Sequence, residues 1–436
     1  MKNAIGVLDR PPALQSFLLS LQHLFAMFGS TVLVPNILGV DPAICLLMNG
    51  IGTLLYLWIC QNKIPAYLGS SFAFLAPAGA VIGDHAAGGG NYAAALGGFI
   101  ISGVIFTIVA LIIQAAGTGW INVVFPPAAM GAIVAIIGLE LIPVAARMAG
   151  WIMPTDLEPA AAAAWSMDPQ IVTLSTVTLA VTVLGSVLFR GFMRIIPILI
   201  GIATGYVLAY FMGFTDFSKL AENGFIQLPH FTFPAFEWTA IIAIAPASLV
   251  VIAEHIGHLV VTGNIVDKDL SKDPGLHRSM LGNGISTILS GFAGSTPNTT
   301  YGENIGVLAI TKVYSTFVIG GAAVIAIVLS FSGKFSALIS GIPAPVMGGV
   351  SLLLFGVIAA SGFRMLVESK VDYSKPTNLF LTTVVLVTGL SGVKLTIGDF
   401  SLTGMALATV VAIVLSLLFK LFEVMKLSND FESSGH

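Results

Sequence analysis

Charge is scarce in this chain. Asp, Glu, Lys and Arg make up 9% of its 436 residues, against roughly 25% in an ordinary soluble domain. That deficit excludes a solvated globular surface. The balance of 18 Lys+Arg against 21 Asp+Glu, a net charge of −3, offers no basic surface to nucleic acid. There are two cysteines, Cys45 and Cys60, in one apolar stretch; they are expected to be buried small residues rather than a disulfide framework. No polar block is long enough for a soluble regulatory domain. A cleavable signal peptide is not expected, because the apolar run after Arg10 is too long for one.

What the chain has in excess is apolar sequence: 56% hydrophobic residues and a mean hydropathy of +0.97. A bilayer is spanned by about 20 apolar residues in a helix. Apolar runs fall near 14–36, 43–61, 65–82, 93–116, 125–146, 171–189, 194–213, 238–263, 279–292, 301–311, 313–332, 343–361, 377–393 and 402–422. The third, ninth and tenth are short or interrupted. The expected fold class is an all-α polytopic membrane protein with 14 transmembrane segments and the lipid bilayer as its solvent. With the N-terminus inside, only Arg147, Lys219, Lys334 and Lys394 of the 18 basic residues fall outside. This is the positive-inside bias, and it puts both termini in the cytoplasm. Met153–Asp168 is expected to be an external loop.

The two halves echo each other. Pro126-Pro-Ala-Ala-Met130-Gly131 opens one run and Pro343-Ala-Pro-Val-Met347-Gly348 another, 217 residues on. Gln22-His23 in the first run answers Glu254-His255 in the eighth. The broken third run, 64–72, answers 299–303 in the tenth. An odd number of spans per repeat inverts the second copy, so the pattern reads as two inverted 7-segment repeats, a plan of secondary transporters.

The segment 294–306 (GSTPNTTYGENIG) is polar and helix-breaking between apolar runs. At membrane depth such backbone survives only inside protein or beside a cavity, and it carries Glu303. In the eighth run Glu254 and His258 stand four apart on one helix face, with His255 about 100° away. An ionised carboxylate at the bilayer centre costs roughly 2.5–3.5 kcal/mol, which favours the neutral acid. That form offers a donor and an acceptor side by side, matching the N–H and C=O of a cyclic amide. The competing reading is a Glu–His pair that only ties two helices together. Gly69-Ser-Ser71-Phe72 and Tyr301-Gly302-Glu303 can present free backbone N–H groups to a ligand. Phe72 or Tyr301 can stack on a planar ring, with ordinary packing as the alternative. His23 is a candidate for the site's border. A zinc helix needs His-Glu-x-x-His or His-x-x-Glu-His; Glu254-His255 runs in the wrong order and position 251 is Val, so no metal is expected. Glu140 is assigned to a helix contact or the interface.

Glu303-Asn304-x-Gly306 followed by Thr311-Lys312 resembles the signature of the nucleobase–ascorbate (nucleobase–cation symporter-2) transporters, and Val250–His258 and Ser295–Tyr314 are similar to bacterial uracil permeases. The resemblance implies a core domain (1–120 and 237–335), a gate domain (121–236 and 336–425) and a cytoplasmic tail (426–436). It also implies short antiparallel strands in segments 3 and 10, and a homodimer formed through the gate domains in the cytoplasmic (inner) membrane. Substrate contacts carried over are Glu254, Glu303 and the backbone N–H groups of Phe72 and Gly302, with His258 and Glu254 in proton coupling. Ser71, Tyr301, His23 and Phe355 are possible lining; position 355 is Tyr in some uracil permeases. Glu at 303, where purine members carry Gln, implies uracil as substrate. The implied activity is a uracil:proton symporter that is no enzyme and needs no cofactor beyond protons. Alternatives are a purine or xanthine symporter and, in another class, an intramembrane hydrolase built on Glu254 and the histidines. An anion carrier of the related sulfate-permease fold is disfavoured by the two carboxylates.

Overall fold

A computed structural model describes residues 4–83, 91–155, 157, 159–215, 220, 222–397 and 400–427. Lys2, Lys219 and the tail beyond 427 lie outside the described residues. The first half contains α1 (Ala13–Leu38), α2 (Pro42–Ile59), α3 (Leu75–Ile82), α4 (Tyr92–Ala116), α5 (Pro127–Met148), α6 (Pro169–Leu188) and α7 (Pro197–Phe211). The second contains α8 (Trp238–Val266), α9 (Leu276–Ala293), α10 (Gly302–Thr311), α11 (Thr316–Ser330), α12 (Ala344–Glu368), α13 (Pro376–Leu390) and α14 (Gly404–Val424). Among the described residues eight helices, α1, α2, α4, α5, α6, α8, α12 and α14, are long and apolar enough to cross a membrane. The protein is a multi-pass membrane protein. Val187, Phe211, Val328 and Val367 are exposed, which suits an outer surface facing lipid.

Local chemistry sets the helix boundaries. Proline lies at the first or second position of α2, α5, α6, α7, α12 and α13, where its missing N–H is no loss. Asp41, Asn91 and Ser315 accept N–H bonds from the first turns of α2, α4 and α11. Small residues allow close packing, as membrane helices require. A Cβ on Gly138 would strike the backbone of Phe355 and Ala359, and one on Gly362 the backbone of Ala135, so α5 and α12 run antiparallel in close contact. The helices α1, α2, α4, α9 and α11 pack on one another; α5, α6, α7, α12, α13 and α14 form a second group; α8 touches both.

Two strands interrupt this helical array. β1 (Leu68–Ser70) pairs antiparallel with β2 (Asn298–Thr300), in register Leu68↔Thr300, Gly69↔Thr299 and Ser70↔Asn298. The ladder continues through Ser71 N–H to Pro297 O at 2.8 Å and Tyr301 N–H to Tyr67 O at 3.2 Å. Every residue of both strands is buried, so the outer edges need partners that water cannot supply. Polar side chains on the surrounding helices supply them. Thr53 Oγ1 of α2 accepts the Leu68 N–H at 2.9 Å and Thr287 Oγ1 of α9 donates to Asn298 O at 3.0 Å. Asn298 Nδ2 donates to Met48 O at 3.1 Å and to Ser286 Oγ at 2.7 Å. Gly69 is required here, because a Cβ would collide with the Tyr301 ring.

Two local expectations are corrected. Met153–Asp168 is not all loop: Pro159–Ala164 is a short helix, as an alanine run favours. Glu303 lies in the first turn of α10 rather than in extended chain. A further strand pair, β3 (Lys394–Ile397) and β4 (Phe400–Thr403), joins α13 to α14.

Candidate functional site

The strand pair and the start of α10 deliver backbone and side chains to one cavity of about 370 Å³. Glu254 and His258 of α8 line it from one side, Tyr301, Gly302 and Glu303 from another, and Phe72, two residues past the end of β1, completes the wall. Phe72 and Gly302 are the first residues of a 3-10 turn and of α10, positions whose N–H groups have no partner within the helix. Both point of origin and polarity suit a ligand with acceptor oxygens. Glu254 is buried, and its Oε2 has no hydrogen-bond partner among the described residues. A buried polar atom without a partner that borders a cavity marks a place for one supplied from outside.

His258 is oriented from behind. Its Nδ1–H donates to Thr300 O at 2.9 Å, with Thr300 Oγ1 at 3.2 Å. That leaves Nε2 as the acceptor, and Nε2 lies 3.2 Å from where a Gly302 Cβ would stand. His255 turns away, with Nε2 2.7 Å from Ser279 Oγ of α9. Glu254 and His258 thus face the cavity while His255 points toward α9, and Thr300 Oγ1, 3.2 Å from His258 Nδ1 and 3.5 Å from His255 Nδ1, lies between the two histidines.

Among the lining candidates, Tyr301 reaches the cavity. Phe72 and Tyr301 stack on each other at 6.4 Å and 26°, so each ring already has a packing partner. Phe355 stands edge-on to Phe72 at 5.7 Å and 85° and supports the wall without lining it. His23 and Ser71 are buried but do not line the cavity; the helix and turn that carry them face them into packed protein. The sequence reading missed the cavity's mouth, where Arg194, Arg364 and Glu368 lie. Arg364 Nε and Glu368 Oε1 pair at 2.6 Å. Their i,i+4 spacing on a helix was the available signal. No group of three His, Cys, Asp or Glu among the described residues is placed to hold a metal ion.

Residues 14–398 match the model of the Permease family whose label is Xan_ur_permease. The chain belongs to this family. This permease is 61% identical over 426 residues to the uracil permease of Paenibacillus larvae subsp. larvae, covering 98% of this chain and 99% of that one. It is likewise 61% identical to the uracil permease of Escherichia coli (strain K12), with 98% and 96% covered, and 45% identical to that of Bacillus subtilis (strain 168), with 95% and 94% covered. Among solved structures, the transmembrane domain of a cyanobacterium bicarbonate transporter, BicA, superposes with a TM-score of 0.64 at 15% identity, covering 95% of this chain and 98% of that one. Murine Solute Carrier 26 family member A9 gives 0.67 at 12%, covering 95% and 69%. The permease therefore shares the fold of the SLC26 transporters. Membership of a family of permeases makes the chain a transporter and not an enzyme, which removes the hydrolase reading of Glu254 and the histidines.

Proposed function

We propose that this permease is a proton-coupled uracil transporter working by alternating access. The observation that carries the reading is the joint placement of Glu254, Glu303 and the helix-starting N–H groups of Phe72 and Gly302 around one cavity. A neutral carboxylic acid pairs through one donor and one acceptor with a cyclic imide, and the N–H groups suit its remaining oxygens. Binding of the neutral base then requires a proton on the carboxylate, which links the two cargoes. Relatives at 61% identity are named uracil permeases, and this supports uracil over a purine.

In this reading α1–α4 and α8–α11 form the core domain that carries the site, and α5–α7 and α12–α14 form the gate. The fourteen segments make two inverted repeats, both termini are cytoplasmic, and two copies associate through their gates in the inner membrane. Arg194 and Arg364 stand at the mouth and belong to the side rich in basic residues, so the cavity opens toward the cytoplasm. His258 takes part in coupling through its Nε2. One charge crossing 100 mV supplies about 2.3 kcal/mol, enough to concentrate a neutral base roughly fiftyfold.

Radiolabelled uracil uptake into proteoliposomes, with an inward proton gradient and with or without a protonophore, tests the proposal. Saturable uptake that collapses with the protonophore is expected. Uptake indifferent to the gradient removes the coupling, and uptake of labelled xanthine with none of labelled uracil moves the substrate to the purines.

A further inference from the structure

We propose that a buried hydrogen-bonded chain through Thr300, His255, Ser279 and Tyr56 carries protons between the cavity and the far end of α2. The inference rests on the proton-coupled reading above. The chain starts at His258, whose Nε2 faces the first residue of α10 and whose Nδ1 lies 3.2 Å from Thr300 Oγ1. Thr300 Oγ1 lies 3.5 Å from His255 Nδ1, the longest link. His255 Nε2 is 2.7 Å from Ser279 Oγ, and Ser279 Oγ is 2.6 Å from Tyr56 OH. Five side chains from α2, α8, α9 and β2 thus form one line, and all of them border a small cavity of about 10 Å³, on the scale of a single water.

The chemistry of each member fits a relay. Hydroxyls both donate and accept, and an imidazole accepts on one nitrogen while donating from the other. A proton arriving at His258 Nε2 releases the Nδ1 proton to Thr300 Oγ1. The Thr300 hydroxyl proton passes to His255 Nδ1, the His255 Nε2 proton to Ser279 Oγ, and the Ser279 proton to the Tyr56 oxygen. The Tyr56 hydroxyl proton leaves to water, so one proton enters and one departs. Tyr56 is itself fully buried; it lies one helical turn before the buried Cys60, and solvent begins at the next residues, Gln61 and Asn62, which are exposed, so the last step crosses one buried turn. A cluster that only ties helices together would need no unbroken line of groups that both donate and accept, starting at a histidine of the cavity wall. This route starts at the cavity wall, where His258 and Thr300 lie, and leaves the cavity through His255, Ser279 and Tyr56, none of which lines it, so the proton and uracil part there.

The test compares two fluxes in proteoliposomes for Ser279→Ala and Tyr56→Phe. Exchange of external labelled for internal unlabelled uracil, without a gradient, cycles the loaded carrier and requires no net proton movement. Uracil-driven internal acidification, read by a trapped pH dye, does require it. Exchange is expected to stay within about twofold of the parent while acidification and net uptake fall about tenfold or more, in the range of lost proton-transfer groups. Ser279→Thr, which keeps the hydroxyl, restores both. Unchanged acidification in both variants overturns the relay, and so does an equal loss of exchange and acidification, which marks the cluster as packing. If the parent protein itself shows no uracil-driven acidification, proton symport fails and the relay fails with it. If only one variant inserts correctly, the other decides.

Discussion

Replacing Thr53 by Val tests whether the polar clamps around the strand pair hold the site in place. Thr53 is fully buried, and its Oγ1 both accepts the Leu68 N–H at 2.9 Å and donates to Leu68 O at 3.3 Å. Valine keeps the branched shape and removes both bonds. The other edge of β1 is occupied by β2, so the Leu68 N–H is left without a partner in a place that water does not reach. A buried donor in that condition costs about 1–3 kcal/mol. Taking about 2 kcal/mol, the balance between docked and undocked β1 shifts roughly thirtyfold. Because Ser70 leads directly into the Ser71–Phe72 turn, an undocked β1 misplaces the Phe72 N–H and ring. The assay is thermal unfolding of the purified protein in detergent, with and without uracil, together with uracil affinity. Thr53→Val should melt lower and gain less protection from uracil, and Thr53→Ser should recover both. Melting and affinity equal to the parent in Thr53→Val would refute the clamp.

Four further outcomes are expected. Glu254→Gln and Glu303→Gln should each abolish or greatly reduce uracil uptake; full activity in both discards the site assignment. His258→Ala should impair coupling more than binding, and a pH profile of transport identical to the parent's speaks against its role. Glu140 Oε2 accepts the Met405 N–H at 2.8 Å at the start of α14, so Glu140→Ala should lower stability by about 1 kcal/mol, the usual effect of a lost helix cap, seen as a lower melting temperature with transport largely kept. Asp372 is exposed, and its Oδ1 accepts the Ser374 side-chain and backbone donors at 2.6 and 2.9 Å; these bonds hold its carboxyl below the ordinary 3.8. A lowered folded-state value contributes stability above the unfolded value and loses it as pH falls through the folded one. Asp372→Asn should therefore narrow the difference in melting temperature between neutral pH and pH 3, and an unaltered difference counts against that assignment.

The membrane character, the broken segments around Gly69 and Tyr301, and the shared face of Glu254 and His258 were legible in the chain alone. These follow from composition and from helical period, which act over short stretches of chain. Glu140 was legible in part, as a charge in an apolar run that had to find a helix contact. His23 and Ser71 are buried away from the cavity wall: the cue for His23 was the echo of Glu254-His255 and that for Ser71 its place beside Phe72, and neither fixes the direction of a side chain. Glu303 was placed in extended chain because Gly302 and the polar stretch before it disguise the start of α10. Which polar residues of α2 and α9 satisfy the strand edges emerges when the helices pack. Thr53, Ser286 and Thr287 look like unremarkable small polar residues until Leu68 and Asn298 arrive from distant chain. The same holds for the line from His258 to Tyr56, whose members come from α2, α8, α9 and β2. A hydrogen bond depends on a few tenths of an ångström and on direction, and those are set when the helices pack, not by spacing along the chain.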